Sequence, residues 1–326
     1  MDHSPLPAII PIDAILAART RLHGTIVRTP VVALSHDRAT PDIRLKLENL
    51  QPIGSFKLRG AGNAMRAMSP TALADGVWTA SAGNMAQGVA WCAREMQVAC
   101  TVVVPEHAPR AKTDAVERLG GRIVRRPFDA WWQVLVDRGD ETMGGRFIHP
   151  VSDADVMAGN ATVALEILED VPDVAAIVVP YGGGGLSCGI ASAVRQLAPH
   201  VKVFAAEVST AAPLAPALAA GGPVPTPYAP SFVDGIGGRT VLAEMWPLAS
   251  TLLDGSRVVS LAQVAEAWRL VLHRGRVLAE GAGAAAVAAA LTLGDAGIGD
   301  GPVVAVVSGG NIDPTIVVRL LQGELP

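Results

Sequence analysis

Four consecutive glycines, Gly182, Gly183, Gly184 and Gly185, stand between a β-branched run at 176–180 and an apolar-periodic stretch at 186–197. Glycine loses more backbone freedom on ordering than any other residue, so neither a strand nor a helix runs through such a tetrad cheaply. The segment therefore reads as strand, loop and helix. In that setting successive backbone N–H groups, with Leu186 at the helix start, converge on one point, and the helix N-terminus adds partial positive charge. This is the form of a phosphate cradle. It is not a Walker A loop, because no Gly-Lys-Ser/Thr follows, and a plain turn needs only one or two glycines.

The same alternation of β-branched runs and Ala/Leu-rich stretches recurs along the chain. It predicts strands at 43–47, 77–80, 100–104, 122–125, 176–180, 202–206 and 303–307. Helices are predicted at 11–21, 56–68, 85–96, 109–119, 186–197, 261–274 and 282–293. This is an α/β pattern with parallel-rich sheets flanked by helices, in two βαβ groups, 78–126 and 176 to the C-terminus. With 326 residues, half of them hydrophobic, the chain can build two packed lobes. Residues 221–230 read as a surface loop, and neither a repeat nor a low-complexity linker is present.

Several function classes drop out. The net charge is −4, and no basic stripe with interleaved aromatics marks a nucleic-acid surface. The longest apolar runs fall well short of the roughly 20 residues a membrane helix needs, and residues 1–8 lack a signal-peptide pattern. Cys92, Cys100 and Cys188 form no C-x-x-C pair, which predicts reduced thiols and a cytoplasmic protein. His149 and His273 are isolated, no H-x-x-x-H occurs, and Asp153 and Asp155 read as loop polar groups, so no metal is expected.

Lysine is rare, at positions 46, 57, 112 and 202 only. Lys57 is oddly placed. Ser55 stands where a helix N-cap should be, putting Lys57 in the first helical turn, where the helix dipole disfavours a cation and lowers its pKa. A neutral amine suits Schiff-base chemistry, whereas the bland alternative is a solvated surface lysine. Two further glycine-bearing loops follow strands, Ser81-Ala82-Gly83-Asn84 and Ser308-Gly309-Gly310-Asn311. Ser81, Asn84 and helix-start N–H groups suit a carboxylate, although either loop reads equally as a cap or turn in isolation. Glu280 opens a small-residue helix, as a first-turn acid or a site residue. An NAD-binding reading of 176–207 also stands, with Glu207 as the ribose-binding acid, but Ser187 breaks the G-x-G-x-x-G spacing. Three such loops at equivalent strand ends suggest one shared site.

In combination and in this order, Gly54-Ser-Phe-Lys-Leu-Arg-Gly60, Ser81 to Gln87, the glycine tetrad with Leu186, and Ser308-Gly-Gly-Asn311 resemble the serine/threonine dehydratase (threonine ammonia-lyase) family. These are pyridoxal 5′-phosphate (PLP) enzymes of fold type II, the tryptophan synthase β-like architecture. The resemblance covers roughly positions 45 to 311. It implies that Lys57 carries PLP as a Schiff base and later removes the Cα proton. It implies that Gly182, Gly183, Gly184, Gly185 and Leu186 hold the phosphate, and that Phe56 and Gly235 clamp the ring. Asn84 would bond the ring's 3′-oxygen, Ser308 would face the pyridine nitrogen, and Glu280 would line the ring edge. Ser81, Ala82, Gly83, Asn84 and Met85 would hold the substrate. A neutral partner at the pyridine nitrogen makes a weaker electron sink than a carboxylate would, which favours β-elimination over transamination.

The implied reaction turns a β-hydroxy amino acid such as L-threonine or L-serine into a 2-oxo acid and ammonia. The alternatives are β-replacement of the cysteine synthase or threonine synthase type, and a dehydratase for a bulkier substrate such as phenylserine. The implied lobes are 1–55 with 152–326 for the cofactor and 56–151 on the substrate side, in a homodimer. Departures matter too. Ala82 replaces the serine of racemising relatives, so racemisation is not expected. Met85 replaces a histidine common in dehydratases and changes a wall of the substrate site, which Trp131 and Trp132 also suit to a bulky group unless they are core. Ala212 and Pro213 offer no second carboxylate beside Glu207 for the cation some relatives bind. Too few residues follow Asn311 for a C-terminal regulatory domain, so feedback inhibition through one is not expected.

Overall fold

Valine and isoleucine pack best on a pleated, buried surface, and their runs form the strands. The computed structural model describes residues 6–34, 42–294 and 298–326, so residues 1–5, part of the N-terminal stretch read above, lie outside them. Among the described residues are β1 (Val31–Ala33), β2 (Ile43–Leu47), β3 (Val77–Ala80), β4 (Cys100–Pro105), β5 (Arg122–Arg126), β6 (Arg146–Phe147), β7 (Ala176–Pro180), β8 (Lys202–Val208), β9 (Gly255–Val259) and β10 (Val303–Val307). They build two sheets. The larger has the order β1-β2-β10-β7-β8-β9, and only the β1–β2 pair is antiparallel. The smaller, β5-β4-β3-β6, is wholly parallel.

Alternate residues of the central strands serve opposite faces of the larger sheet. Ile177, Val179, Val304 and Val306 enter one core, while Ala176, Val178, Val303, Ala305 and Val307 enter another. Both faces are covered, which is why these strands read as continuous apolar runs rather than alternating ones. The helix Gly281–Leu291 is apolar all round because it is buried almost throughout. A third core joins the helices Lys57–Ala67 and Asn84–Met96 to β3 and β4.

All seven predicted strands are present. β1, β6 and β9 were not expected. The first two have only three and two residues, and the third, Gly-Ser-Arg-Val-Val, is a half-polar edge strand. The predicted helix 261–274 ends at Leu270 and continues as a wider π turn, Val271–Gly275. The helices Phe128–Val136 and Ala154–Asp170 escaped the sequence reading. The second begins at Asp153, whose carboxylate accepts the Val156 N–H at 2.9 Å, so Asp153 is a helix cap rather than a loop polar group.

The order of the larger sheet places the site. From β7 the chain steps through β8 to the β9 edge, then returns so that β10 pairs on the other side of β7. The loops after β7 and β10 diverge there and leave a crevice at the carboxyl ends, where ligands of open parallel sheets bind. The Ser81 loop follows β3 and so belongs to the other sheet. The three loops meet at one site, as the strand pattern implied, and they do so across a cleft between two sheets.

Below the cleft a buried charge network fixes the Lys57–Ala67 helix. The Arg59 guanidinium donates to Glu48 at 2.7 and 2.8 Å, to Glu166 at 2.7 and 2.8 Å, and to Thr162 at 3.0 Å. Lys46 Nζ donates to Glu166 at 2.5 Å and to the Thr29 carbonyl at 2.6 Å. Lys46, Glu48 and Arg59 have no exposed surface.

Candidate active site

The chain leaves β2 and reaches Lys57 through a segment clamped by the loop after β10. Phe56 donates its N–H to the Ser308 carbonyl at 2.9 Å, and Gly310 donates to Gly54 O at 2.9 Å. Ser55 bridges to Gly309, and its buried hydroxyl has no partner. Ser55 therefore does not cap the helix as predicted; Phe56 is the N-terminal flanking residue, without a side-chain cap, because the backbone of Ser55 is held against the Ser308 loop. Lys57 is the first helical residue, and its Nζ donates to the Pro150 carbonyl at 2.7 Å. Burial lowers its pKa to about 8, against the opposing pull of the Glu280 charge. The direction is the one expected from sequence, but its first cause is loss of solvent.

A cavity of about 280 Å³ opens on this amine. Its wall brings together every residue singled out for the site: Phe56, Lys57, the Ser81–Met85 segment, Gly182, Gly183, Gly184, Gly185, Leu186, Gly235, Glu280 and Ser308. Among the described residues, none of the amides from 182 to 186 donates to a protein acceptor. They precede the helix Ser187–Leu197, so unpaired donors and a helix N-terminus coincide. Gly184 has φ +96, a region that disfavours any side chain. Such a cradle fits a phosphate.

On the opposite wall, Asn84 Nδ2 donates to both Glu280 carboxylate oxygens, at 2.9 and 3.0 Å. Its Oδ1 accepts from Asn311 Nδ2 at 2.8 Å, so Asn84 is oriented from both ends. Burial raises the Glu280 pKa to about 7, opposed first by the bonds from Asn84. Ser308 is only 2% exposed, with its backbone carbonyl holding Phe56. Ser81 Oγ accepts the Gly83 N–H at 3.2 Å, and Met85 forms part of the floor while packing in the third core. The residues present fit a phosphorylated aldehyde cofactor: a buried amine near neutrality, an unpaired amide cradle and a polar ring edge.

Other candidates are structural. Glu207 is buried and accepts from the N–H groups of Leu214 and Ala215 and from the Ser256 hydroxyl, so it cannot receive a ribose without losing them. The three cysteines are free and buried, with burial pushing each thiol up to about 12. Among the described residues no cluster of metal-ligating side chains occurs. His149 Nδ1 accepts the Val151 and Ser152 N–H groups, and burial lowers its pKa to about 3. Gly185-Leu-Ser-Cys-Gly189 has the spacing of a hydrolase nucleophile elbow, but Ser187 is fully buried and donates to Gly184 O.

Residues missed from sequence line the same cavity, Lys112, Pro150, Val151 and Asp234, beside Trp131, which the sequence offered as a wall for a bulky group. Lys112 and Asp234 form an ion pair of 2.6 Å across its mouth. No motif marks them, because they come from separate elements that only the fold brings together.

The model for the family described as pyridoxal-phosphate dependent enzyme matches residues 22–309. The chain is 40% identical over 320 residues to the L-threonine ammonia-lyase of Geobacter sulfurreducens, covering 97% of this chain and 79% of that protein. It is 32% identical to the catabolic L-threonine dehydratase of Staphylococcus aureus, covering 97% and 93%. Among solved structures, maize serine racemase superposes with a TM-score of 0.87 at 31% identity, covering 97% and 98%. The processed threonine deaminase isoform 2 of Solanum lycopersicum gives 0.84 at 30% identity, covering 98% and 95%.

Proposed function

The chain belongs to the family of pyridoxal-phosphate dependent enzymes, and from that premise we propose that it is an ammonia-lyase which eliminates water from a β-hydroxy amino acid to give a 2-oxo acid and ammonia. One observation carries the reading. Lys57, with an amine drawn down to about 8, shares a single cavity with the unpaired amides of 182–186 and the Ser81–Asn84 loop.

When bound, PLP supplies a carbonyl that takes the substrate's amino group and a conjugated ring that withdraws electrons from Cα. In this reading Lys57 Nζ holds the cofactor, then takes the Cα proton; a pKa near 8 leaves it able to do both near neutral pH. The amides of Gly182, Gly183, Gly184, Gly185 and Leu186 bind the phosphate. Phe56 and Gly235 would flank the ring, Asn84, oriented by Glu280, would face its oxygen, and Ser308 would meet the ring nitrogen without a charge. Ser81, with the Ala82, Gly83 and Asn84 backbone, orients the substrate carboxylate, and Met85 closes the wall. The Cα–H and Cβ–O bonds break, the Cα=Cβ bond forms, and the released enamine hydrolyses. The same reading takes 1–55 with 152–326 and 56–151 as two lobes, which the two separate sheets support, in a cytoplasmic protein, which the three free, buried cysteines support; that it is a homodimer rests on the family resemblance.

The test is PLP uptake followed by oxo-acid and ammonia assays with β-hydroxy amino acids, with Lys57→Ala as control. The wild type is expected to take up cofactor and release both products, and the variant to lose at least about 10⁴-fold in rate. A protein that binds no PLP would sink the reading. One that binds it and needs a second, nucleophilic substrate before releasing product would be a β-replacement enzyme instead.

A further inference from the structure

A second cavity, of about 350 Å³, meets the first at Lys57, Gly182, Gly183 and Gly235. Its character differs. One wall is the helix Phe128–Val136, which places Phe128, Trp131, Trp132 and Leu135 at i, i+3, i+4 and i+7, a single stripe. A stripe of that composition on a globular protein's helix normally lies against the core. Here only Val134 is fully buried. Trp131 and Leu135 touch the small core around Trp78 and Val103 and also border the cavity.

The aromatic rings form a connected series. Phe128 and Trp131 lie 5.6 Å apart between centroids, and Trp131 and Trp132 lie 6.3 Å apart. Tyr228, from the 221–230 segment, completes the rim, with the Arg239 guanidinium 6.0 Å from its ring and 5.8 Å from that of Phe128. That segment read as a surface loop. It is pinned over the site, Thr226 donating to Arg239 O at 2.8 Å and Ala229 to Thr210 O at 2.8 Å. The stripe, the rim and the amine therefore surround one space.

We infer that this cavity takes the β-substituent of the substrate, and that the substituent is an aryl group. The assignment rests on the elimination reading above, whose reacting carbon lies beside Lys57. A methyl group or a hydrogen at Cβ leaves most of the aromatic wall untouched. A phenyl ring meets it in the tilted and edge-to-face arrangements that aromatic rings prefer. Ligand sites are built this way, with an apolar aromatic lining and few polar groups. The reaction balances without a co-reactant. From phenylserine the Cα proton and the Cβ hydroxyl leave as water, the Cα=Cβ bond forms, and hydrolysis of the enamine gives phenylpyruvate and ammonia.

The experiment compares kcat/KM of the PLP-loaded enzyme for L-threo-phenylserine and L-threonine, in the wild type and in Phe128→Ala and Tyr228→Ala. These two side chains are 44% and 47% exposed, so their truncation spares the core. The wild type is expected to favour phenylserine by about tenfold to a hundredfold, the range that added apolar contact confers. Each variant is expected to lower that ratio by about tenfold. Threonine turned over as well as phenylserine would overturn the aryl assignment and leave the elimination reading intact. A ratio indifferent to both substitutions would overturn the assignment of this cavity. Release of oxo acid from neither substrate would overturn both readings.

Discussion

Lys57 and Arg59 are cations two residues apart on one helix, Arg59 fully buried and Lys57 partly so at a cavity wall, and they meet opposite fates. Burial pulls both pKa values down. For Arg59 the charges and hydrogen bonds of Glu48 and Glu166 more than reverse that pull, and its pKa rises. For Lys57 only the Glu280 charge opposes it, and the amine settles at about 8. Arg59 is saturated with acceptors, while among the described residues the Lys57 amine has one hydrogen-bond acceptor, the Pro150 carbonyl. A buried charge with every donor matched holds elements together; a buried charge left short of partners is available for chemistry.

That contrast can be broken most sharply at Arg59. Arg59→Leu leaves Glu48 and Glu166 buried with much of their compensation gone, and a loss of roughly 3–5 kcal/mol in unfolding free energy is expected. Lys57→Ala, which removes turnover, is expected to leave the urea midpoint at or above that of the wild type. Equal destabilisation by the two substitutions would erase the distinction.

The pH dependence of cofactor capture sharpens it from the other side. Capture requires the neutral Lys57 amine, so below its pKa of about 8 the second-order rate is expected to fall about tenfold per pH unit. Stopped-flow absorbance between pH 6 and 9 measures this. A rate still rising about tenfold per unit at pH 9, with no plateau, would mean that the amine keeps an ordinary lysine pKa, and a flat profile from pH 6 to 9 would mean that capture does not depend on its protonation.

The smallest effect is expected at a third kind of charge pair. Lys112 and Asp234 are 33% and 58% exposed at the mouth of the cleft, and such pairs contribute roughly 0.2–1 kcal/mol. Lys112→Met is expected to change thermal stability within that range, with the pair's contribution fading at high salt. A loss comparable to that of Arg59→Leu would show that the mouth, too, is held by a structural charge.

What could be read from sequence divides along the same line. Lys57, the glycine tetrad and the Ser81 and Ser308 loops were visible because each departs from local expectation: a cation in a first helical turn, glycines beyond the needs of a turn, polar caps directly after buried strands. Arg59 gave no such signal, since a lysine–leucine–arginine run looks like a solvated face until Glu48 and Glu166 arrive from elsewhere. Ser55 misled for a related reason. A serine before a helix is ordinarily its cap, but here its backbone is taken by the loop after β10, more than 250 residues away in sequence. The helix Ala154–Asp170 was hidden by its glycine, asparagine and threonine, which are tolerated because neighbouring helices pack closely against it.

The sequence by itself indicated the parallel-rich architecture and, through the family resemblance of its short motifs, the candidate amine and the candidate phosphate cradle, because these depend on residue type and short spacing. Only the tertiary structure decided that the three loops meet across two sheets, that burial sets the Lys57 pKa, and that Phe128, Trp131, Trp132 and Tyr228 wall a chamber opening on that amine. Periodicity reports that a stripe is apolar. Whether a core or a cavity lies against it depends on which distant segments the fold brings alongside.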